Sequence, residues 1–101
     1  MELEKRLSDE IAALCEPELI LLYGRKTVVS TQNISHVDLC VVVDNVDRQE
    51  LERRIYMEID VGVSFNVIIY SLFQWDEQLK DATSFASRIT EKGTVLYGRE
   101  T

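Results

Sequence analysis

The sequence predicts a single α/β domain of the α+β type over residues 1–101, in which helices flank a small mixed sheet of three to four strands. A length of 101 residues matches one domain, since domains commonly hold roughly 100 to 200 residues. Hydrophobic residues make up 46% of the chain and charged residues 29%, which is typical of a globular domain. Helical and strand-like patterns alternate along the chain, and this alternation predicts helices packed on a sheet.

The N-terminal part predicts a helix followed by a buried strand. Apolar residues recur at spacings of four, four and three on one helical face, at Leu3, Leu7, Ile11 and Leu14. Pro17 marks the end of this helix. Residues 19–23 form a continuous apolar run closed by Gly24, which predicts a buried strand ending in a tight turn. We expect the polar stretch 25–35 to be a loop or a short irregular helix.

The middle of the chain predicts a second strand and a second helix. Residues 37–43 are rich in β-branched side chains with little alternation, which indicates a strand covered on both faces. Asp47, with Glu50 three residues later, predicts the capped start of a helix that ends before Gly62. The buried stripe of this helix is predicted to be Leu51, Ile55 and Ile59.

The C-terminal part predicts a third strand over residues 63–70 and then more helix. Ser64 and Asn66 share one face of this strand, because side chains alternate with period two. Apolar residues over 79–89 predict one or two helices that stop at Gly93, before a short tail. The sequence predicts no regular structure for this tail.

Two aromatic residues and two cysteines need a separate interpretation. Phe73 and Trp75 are expected to close the core, with a contact surface for a partner as the alternative. Cys15 lies in a helical pattern and Cys40 in a strand pattern, so we expect both to be small buried hydrophobes.

Charge and hydropathy narrow the classes of function. Eleven Lys and Arg against eighteen Asp and Glu give a net charge of −7, which opposes general binding to nucleic acid or to an anionic membrane. No apolar run approaches the ~20 residues that span a bilayer. The first six residues lack the basic and apolar regions of a secretory signal. We therefore expect a cytoplasmic protein without membrane contact.

One spacing points to a specific chemistry. Gly24-Arg25 closes the first strand, ten residues follow, and His36-Val37-Asp38 opens the second strand. This pattern resembles the minimal nucleotidyltransferase family of the polymerase-β-like superfamily, whose motif is Gly-Ser, ten residues and Asp-x-Asp. Small members of the family often end with an Ile, a few residues, Gly and a Leu-Tyr pair, as residues 89–97 do here. The resemblance therefore covers the chain from residue 19 to about residue 98.

The resemblance implies a role for each motif residue. In-line nucleotidyl transfer from ATP or GTP uses two Mg²⁺ ions, which carboxylates on two neighbouring strands hold. Asp38 matches the second aspartate, His36 replaces the first, and Asn66 occupies the expected third position. The residues at the expected phosphate-binding turn are Gly24, Arg25 and Lys26, where the family has Gly-Ser.

These departures leave several interpretations open. Two carboxylates are replaced by neutral groups, which weakens Mg²⁺ binding, whereas imidazole beside Asp38 suits zinc, copper or nickel. His36 also has a plain interpretation as a partly buried imidazole. Arg25 and Lys26 either bind phosphate or balance Glu18 and Asp38.

Three functions follow from this sequence. The first is a nucleotidyltransferase-fold protein that has lost catalysis and acts by binding, as an antitoxin-like or regulatory partner of a helical toxin-type protein. The alternative is an active metal-dependent enzyme, in which Asp38 and one unrecognised acid hold the metal. Asp60 could supply the third acid only if the third strand begins before residue 63. This enzyme would transfer a nucleoside monophosphate to a hydroxyl of a protein or small molecule. The third is a structural module that self-associates.

Overall fold

The computed structural model describes residues 2–98, which contain four helices and four strands. In chain order these are α1 (Glu2–Cys15), β1 (Leu19–Thr27), β2 (Ile34–Val42), α2 (Arg48–Glu58), β3 (Ser64–Tyr70), α3 (Leu72–Leu79), α4 (Phe85–Lys92) and β4 (Thr94–Gly98). Met1 and residues 99–101 of the predicted domain lie outside the described residues.

The four strands form one sheet in the order β3-β2-β1-β4. β1 is antiparallel to β2 and to β4, whereas β2 and β3 are parallel and are connected through α2. A parallel pair needs such a crossover, since its strands run in the same direction. The predicted fold class, a small mixed sheet flanked by helices, is confirmed.

One face of the sheet packs against α1 and α2. Leu7 and Ile11 of α1 and Leu51 and Ile55 of α2 are buried there. They meet alternate residues of the strands, namely Ile20, Leu22, Val37, Leu39, Val41, Val67 and Ile69. α2 begins as predicted at Asp47, whose carboxylate accepts the N–H of the residue three positions later. The apolar stripes predicted for both helices are confirmed.

The opposite face of the sheet is covered only in part. α3 and α4 bury a smaller cluster there, which contains Leu21, Cys40, Val42, Trp75, Ala86 and Ile89. The strand ends beyond these helices carry polar side chains that are exposed or half-buried. We call this uncovered region the open face and define it by Gly24, Lys26, His36, Asp38, Ser64 and Asn66.

The stretch 25–35, predicted as a loop or irregular helix, is mostly sheet. β1 continues to Thr27 and β2 resumes at Ile34, so the connecting loop spans only residues 28–33. Arg25 pairs with Val37 across this hairpin. The prediction was wrong because residues 25–33 are exposed, and an exposed part of a hairpin requires no apolar alternation.

The C-terminal part begins earlier in helix than predicted and ends in a strand. α3 starts at Leu72, after a capping box between Ser71 and Gln74. This start turns Trp75 into the core at 4% exposure and leaves Phe73 at 74%, so the expectation of a core role holds for one of the two. The tail forms β4, paired with β1. Within residues 2–98 no helix has both the length and the hydropathy that crossing a membrane requires.

Candidate functional site

The strand pairing places the residues of the open face in two rows across three strands. Gly24 of β1 pairs with Asp38 of β2, and Asp38 pairs with Asn66 of β3. One step along, Lys26 pairs with His36, and His36 pairs with Ser64. Since residues two apart on a strand share a face, both rows lie on the same side of the sheet. Five of the six residues predicted for the site are therefore brought together.

Hydrogen bonds join the side chains of β2 and β3. The Nδ1 atom of His36 lies 2.7 Å from Oγ of Ser64, and its Nε2 atom lies 2.9 Å from Oδ1 of Asp38. The amide nitrogen of Asn66 donates to the same Asp38 oxygen at 3.3 Å and lies 3.4 Å from Nε2. The His36 and Asp38 side chains are 17% and 23% exposed, so their contact is largely shielded from solvent.

The carboxylate fixes the tautomer of the imidazole. An ionised carboxylate only accepts hydrogen bonds, so Nε2 of His36 carries the proton that Asp38 accepts. Nδ1 of the neutral ring then presents a lone pair to the Ser64 hydroxyl. That hydroxyl also lies 3.2 Å from the backbone oxygen of Ser35. We assign its proton to Nδ1, because 2.7 Å is the shorter contact.

Gly24 leaves room for the Asp38 carboxylate. A Cβ atom on Gly24 would lie 2.5 Å from Oδ2 of Asp38, so any other residue would displace this carboxylate. The prediction that Gly24 closes the strand in a tight turn was wrong, because β1 continues through it. Its lack of a side chain serves a close approach within the sheet.

Tyr23 borders the open face and was missed by the sequence analysis. The β1–β2 register shifts between Leu22 and Gly24, so Tyr23 lies in an irregular part of the strand, where a bulge re-aims side chains. Its ring packs edge-on to Phe85, with centroids 5.3 Å apart. Burial, with a further contribution from the charge of Asp38, raises the pKa of Tyr23 to about 12. Only the neighbouring glycine hinted at this irregularity.

Arg25 and Asp60 lie away from the open face. The Nη1 atom of Arg25 donates to Oε2 of Glu4 at 3.0 Å, and Glu4 is buried on the α1 side of the sheet. Arg25 therefore balances Glu4, and not Glu18 or Asp38, the two acids that the sequence suggested. Asp60 precedes β3, and its carboxylate accepts the N–H of Gly62 at 3.0 Å. Neither side chain adds a charge to the two rows.

The donor set of the open face does not suit the two Mg²⁺ ions that the resemblance implies. It offers one carboxylate, and Oδ1 of Asp38 already accepts hydrogen bonds from His36 and Asn66. Mg²⁺ requires oxygen ligands in near-octahedral geometry, which imidazole and amide N–H groups do not supply. In the described part of the chain, no three His, Cys, Asp or Glu side chains are arranged to hold a metal ion.

The two cysteines offer no reactive thiolate. Burial raises the pKa of Cys40 to about 12 and that of Cys15 to about 11. Because the thiolate is the nucleophile and the metal ligand, both thiols are inert at neutral pH.

No protein-family model, curated protein or solved structure matches this chain. The resemblance to the minimal nucleotidyltransferases therefore stays a hypothesis. The function has to be argued from the geometry of the open face.

Proposed function

We propose that this chain is a binding module on a nucleotidyltransferase-like frame, that it has lost nucleotidyl transfer, and that it holds a partner protein on its open face. One observation carries the proposal. The position that the family fills with metal-binding carboxylates holds the closed hydrogen-bond network of Asp38, His36 and Asn66.

The electrostatic argument supports a loss of catalysis. Two unit charges 4 Å apart interact by about 4 kcal/mol at an effective dielectric constant of 20. Neutral His36 and Asn66 remove two such attractions for a divalent cation. One oxygen of the remaining carboxylate, Oδ1, already accepts two N–H donors, which makes it a weaker ligand for a cation. Transfer that depends on two metal ions has too few ligands here.

The surface around the network supports binding to a protein. The rows carry one positive and one negative side chain, Lys26 and Asp38, so the open face has no net charge to repel a polypeptide. Two apolar side chains border it, Ile68 at 36% and Phe85 at 37% exposure. Exposed apolar side chains beside polar groups give a partner protein apolar area to bury. The resemblance implies a helical toxin-type partner, and the net charge of −7 favours one with a basic surface.

Calorimetric titration with ATP and GTP, in Mg²⁺ and then in Mn²⁺, tests the loss of transfer. We expect no heat from the wild-type chain at millimolar nucleotide. The double variant His36→Asp, Asn66→Asp restores the expected carboxylates and should gain metal-dependent nucleotide binding. Metal-dependent binding by the wild-type chain that disappears in Asp38→Ala would overturn the loss of catalysis. A double variant that gains nothing would count against the nucleotidyltransferase-like frame.

Photo-cross-linking in the native cell tests the partner. A benzoyl-phenylalanine in place of Asn66 should give a discrete adduct with a second protein. The same residue in place of Glu52, on the exposed side of α2, is the matched control. Equal adducts at both positions, or none at position 66, would contradict binding through the open face. An adduct of the chain with itself would instead identify self-association, which light scattering of the purified chain measures directly.

A further inference from the structure

Ser64, His36 and Asp38 form a continuous path for a proton. Oγ of Ser64 lies 2.7 Å from Nδ1 of His36, and Nε2 of the same ring lies 2.9 Å from Oδ1 of Asp38. With the tautomer assigned above, the hydroxyl donates to Nδ1 and Nε2 donates to Asp38. These are the contacts of a nucleophile, a general base and an orienting acid. The two ring nitrogens are exchanged relative to the usual order in serine hydrolases. The exchange leaves the proton path intact, since either nitrogen accepts a proton when the other is protonated.

The strands hold these groups in place. Ser64 and His36 are paired residues of neighbouring strands, and Asp38 is two residues further along β2. Asn66 donates to Oδ1 of Asp38 at 3.3 Å, and the other carboxylate oxygen occupies the space that Gly24 leaves by having no side chain. Side chains on strands are held more firmly than side chains on loops. The imidazole therefore has a fixed tautomer and a fixed direction.

Substrate can reach the nucleophile. Ser64 is exposed at the start of β3, which is an edge strand of the sheet. The N–H of Val67 points away from β2, because it donates to Oη of Tyr56 at 2.8 Å. Alternate N–H groups of a strand point to the same side, so the N–H of Phe65 also points to this outer edge. It is the backbone donor adjacent to Ser64, where an oxyanion needs one.

We propose that Ser64 is an activated nucleophile that accepts an acyl group from a carboxylic ester. The Oγ atom of Ser64 attacks the ester carbonyl carbon while its proton moves to Nδ1 of His36. The tetrahedral intermediate expels the alkoxide, which leaves as an alcohol with that proton. A water molecule then attacks the acyl-serine, gives a proton to Nδ1, and Ser64 recovers this proton as the carboxylic acid departs. Asp38 is a positioning residue in this sequence.

This inference does not depend on the binding proposal, because it concerns the isolated chain. The test is labelling with an alkyl fluorophosphonate, in which a phosphorus–oxygen bond to Ser64 forms and fluoride leaves. We expect one label per chain, located at Ser64 by peptide mass spectrometry. His36→Gln should slow labelling about 100-fold, the lower end of the effect of a general base. Hydrolysis of p-nitrophenyl acetate should fall in parallel.

Two further variants separate chemistry from structure. Asp38→Asn should keep the label on Ser64 but slow its formation and change its pH profile, because the amide no longer fixes the imidazole tautomer. Ser30→Ala, an exposed serine in the hairpin loop, is the matched control and should label like the wild type. Labelling at another residue, an unchanged rate in His36→Gln, or no label after prolonged exposure would each overturn the inference. Circular dichroism establishes that every variant is folded.

Discussion

Replacing Arg25 by methionine should destabilise the fold through a buried carboxylate on the α1 side of the sheet. Arg25→Met keeps most of the aliphatic side chain and removes the guanidinium that donates to Glu4 at 3.0 Å. Glu4 is 0% exposed, whereas the Arg25 side chain is 48% exposed. The wild-type pair therefore requires little desolvation of Arg25. The substitution leaves the buried carboxylate without this donor.

The magnitude follows from this asymmetry. Removing one partner of a fully buried ion pair costs about 3 to 5 kcal/mol, and leaving a buried acceptor short of a hydrogen bond costs about 1 to 3 kcal/mol. Because Arg25 is half exposed, solvent screens its charge, and the lower range applies. Glu4 also keeps a hydrogen bond from its own backbone N–H. We expect a loss of about 2 kcal/mol at pH 7.

The loss of stability in Arg25→Met should also depend on pH. Burial alone raises the pKa of Glu4, but hydrogen bonds from its own backbone and from Arg25 hold this pKa below its usual value of 4.5. Ionised Glu4 therefore stabilises the fold above about pH 4.5, and this stability is lost as the pH falls through the folded pKa. Without Arg25 the folded pKa rises. The difference between variant and wild type should therefore shrink on acidification.

Urea unfolding at pH 7 and at pH 3 measures both the loss of stability and its pH dependence. The matched control is Lys26→Met, which removes the same charge one residue away and on the opposite side of the sheet. It should change the free energy of unfolding by less than about 0.5 kcal/mol. An Arg25→Met variant as stable as Lys26→Met at pH 7 would refute the reasoning. A difference from wild type that stays constant between the two pH values would also refute it.

Three further substitutions test other parts of the structure. Gly24→Ala should displace the Asp38 carboxylate and lower the free energy of unfolding by about 1 to 3 kcal/mol, because the added methyl group overpacks this contact. The ring of the single histidine contacts this carboxylate, so unchanged histidine resonances in NMR spectra would contradict the displacement. Tyr56→Phe should lower the free energy of unfolding in urea by about 1 kcal/mol, because the N–H of Val67 loses the hydroxyl that accepts its hydrogen bond at 2.8 Å. An unchanged free energy would mean that water replaces the phenol. Trp75→Ala should lower the free energy of unfolding by about 3 to 5 kcal/mol. Phe73→Ala, two residues earlier on α3, should lower it by less than about 0.5 kcal/mol. Similar losses in the two variants would contradict the difference in burial.

The elements that the sequence predicted well are those with a buried face. α1 and α2 each place apolar residues at helical spacing against the same side of the sheet, and the capping residue Asp47 fixes the start of α2. The strand over 37–43 was predicted from its β-branched residues, which α2 and α4 cover from opposite sides. In each case burial imposes a pattern that the sequence retains.

The wrong predictions of secondary structure concern segments in which burial imposes no apolar pattern. Residues 25–33 at the rim of the hairpin are exposed, so their polar sequence looks like a loop although the strands pair there. The start of α3 depends on a capping box at Ser71, which is a polar signal outside the apolar patterns. β4 is a short edge strand, and its residues 94–98 are exposed or half-buried. Its pairing with β1 is a long-range contact that no local pattern reports.

The candidate site was partly predictable for the same reason. Period-two alternation places Asp38 beside His36 on one strand and Asn66 beside Ser64 on another, so each pair could be read from the sequence. The register that sets Asp38 opposite Asn66 is a tertiary property, and so is the turn of Arg25 towards Glu4 on the far side. Alternation across the bulge at Tyr23 cannot be counted from the sequence, because the register shifts there.

The neutral side chains of His36 and Asn66 balance the charge of Asp38 on the open face. Three carboxylates at the positions of His36, Asp38 and Asn66 would repel one another on adjacent strands, since like charges opposite each other destabilise a sheet. Such a face needs metal ions to balance it. Here an imidazole N–H and an amide N–H point at the single carboxylate, so protein groups balance its charge. The N–H groups that balance Asp38 therefore also order the imidazole towards Ser64.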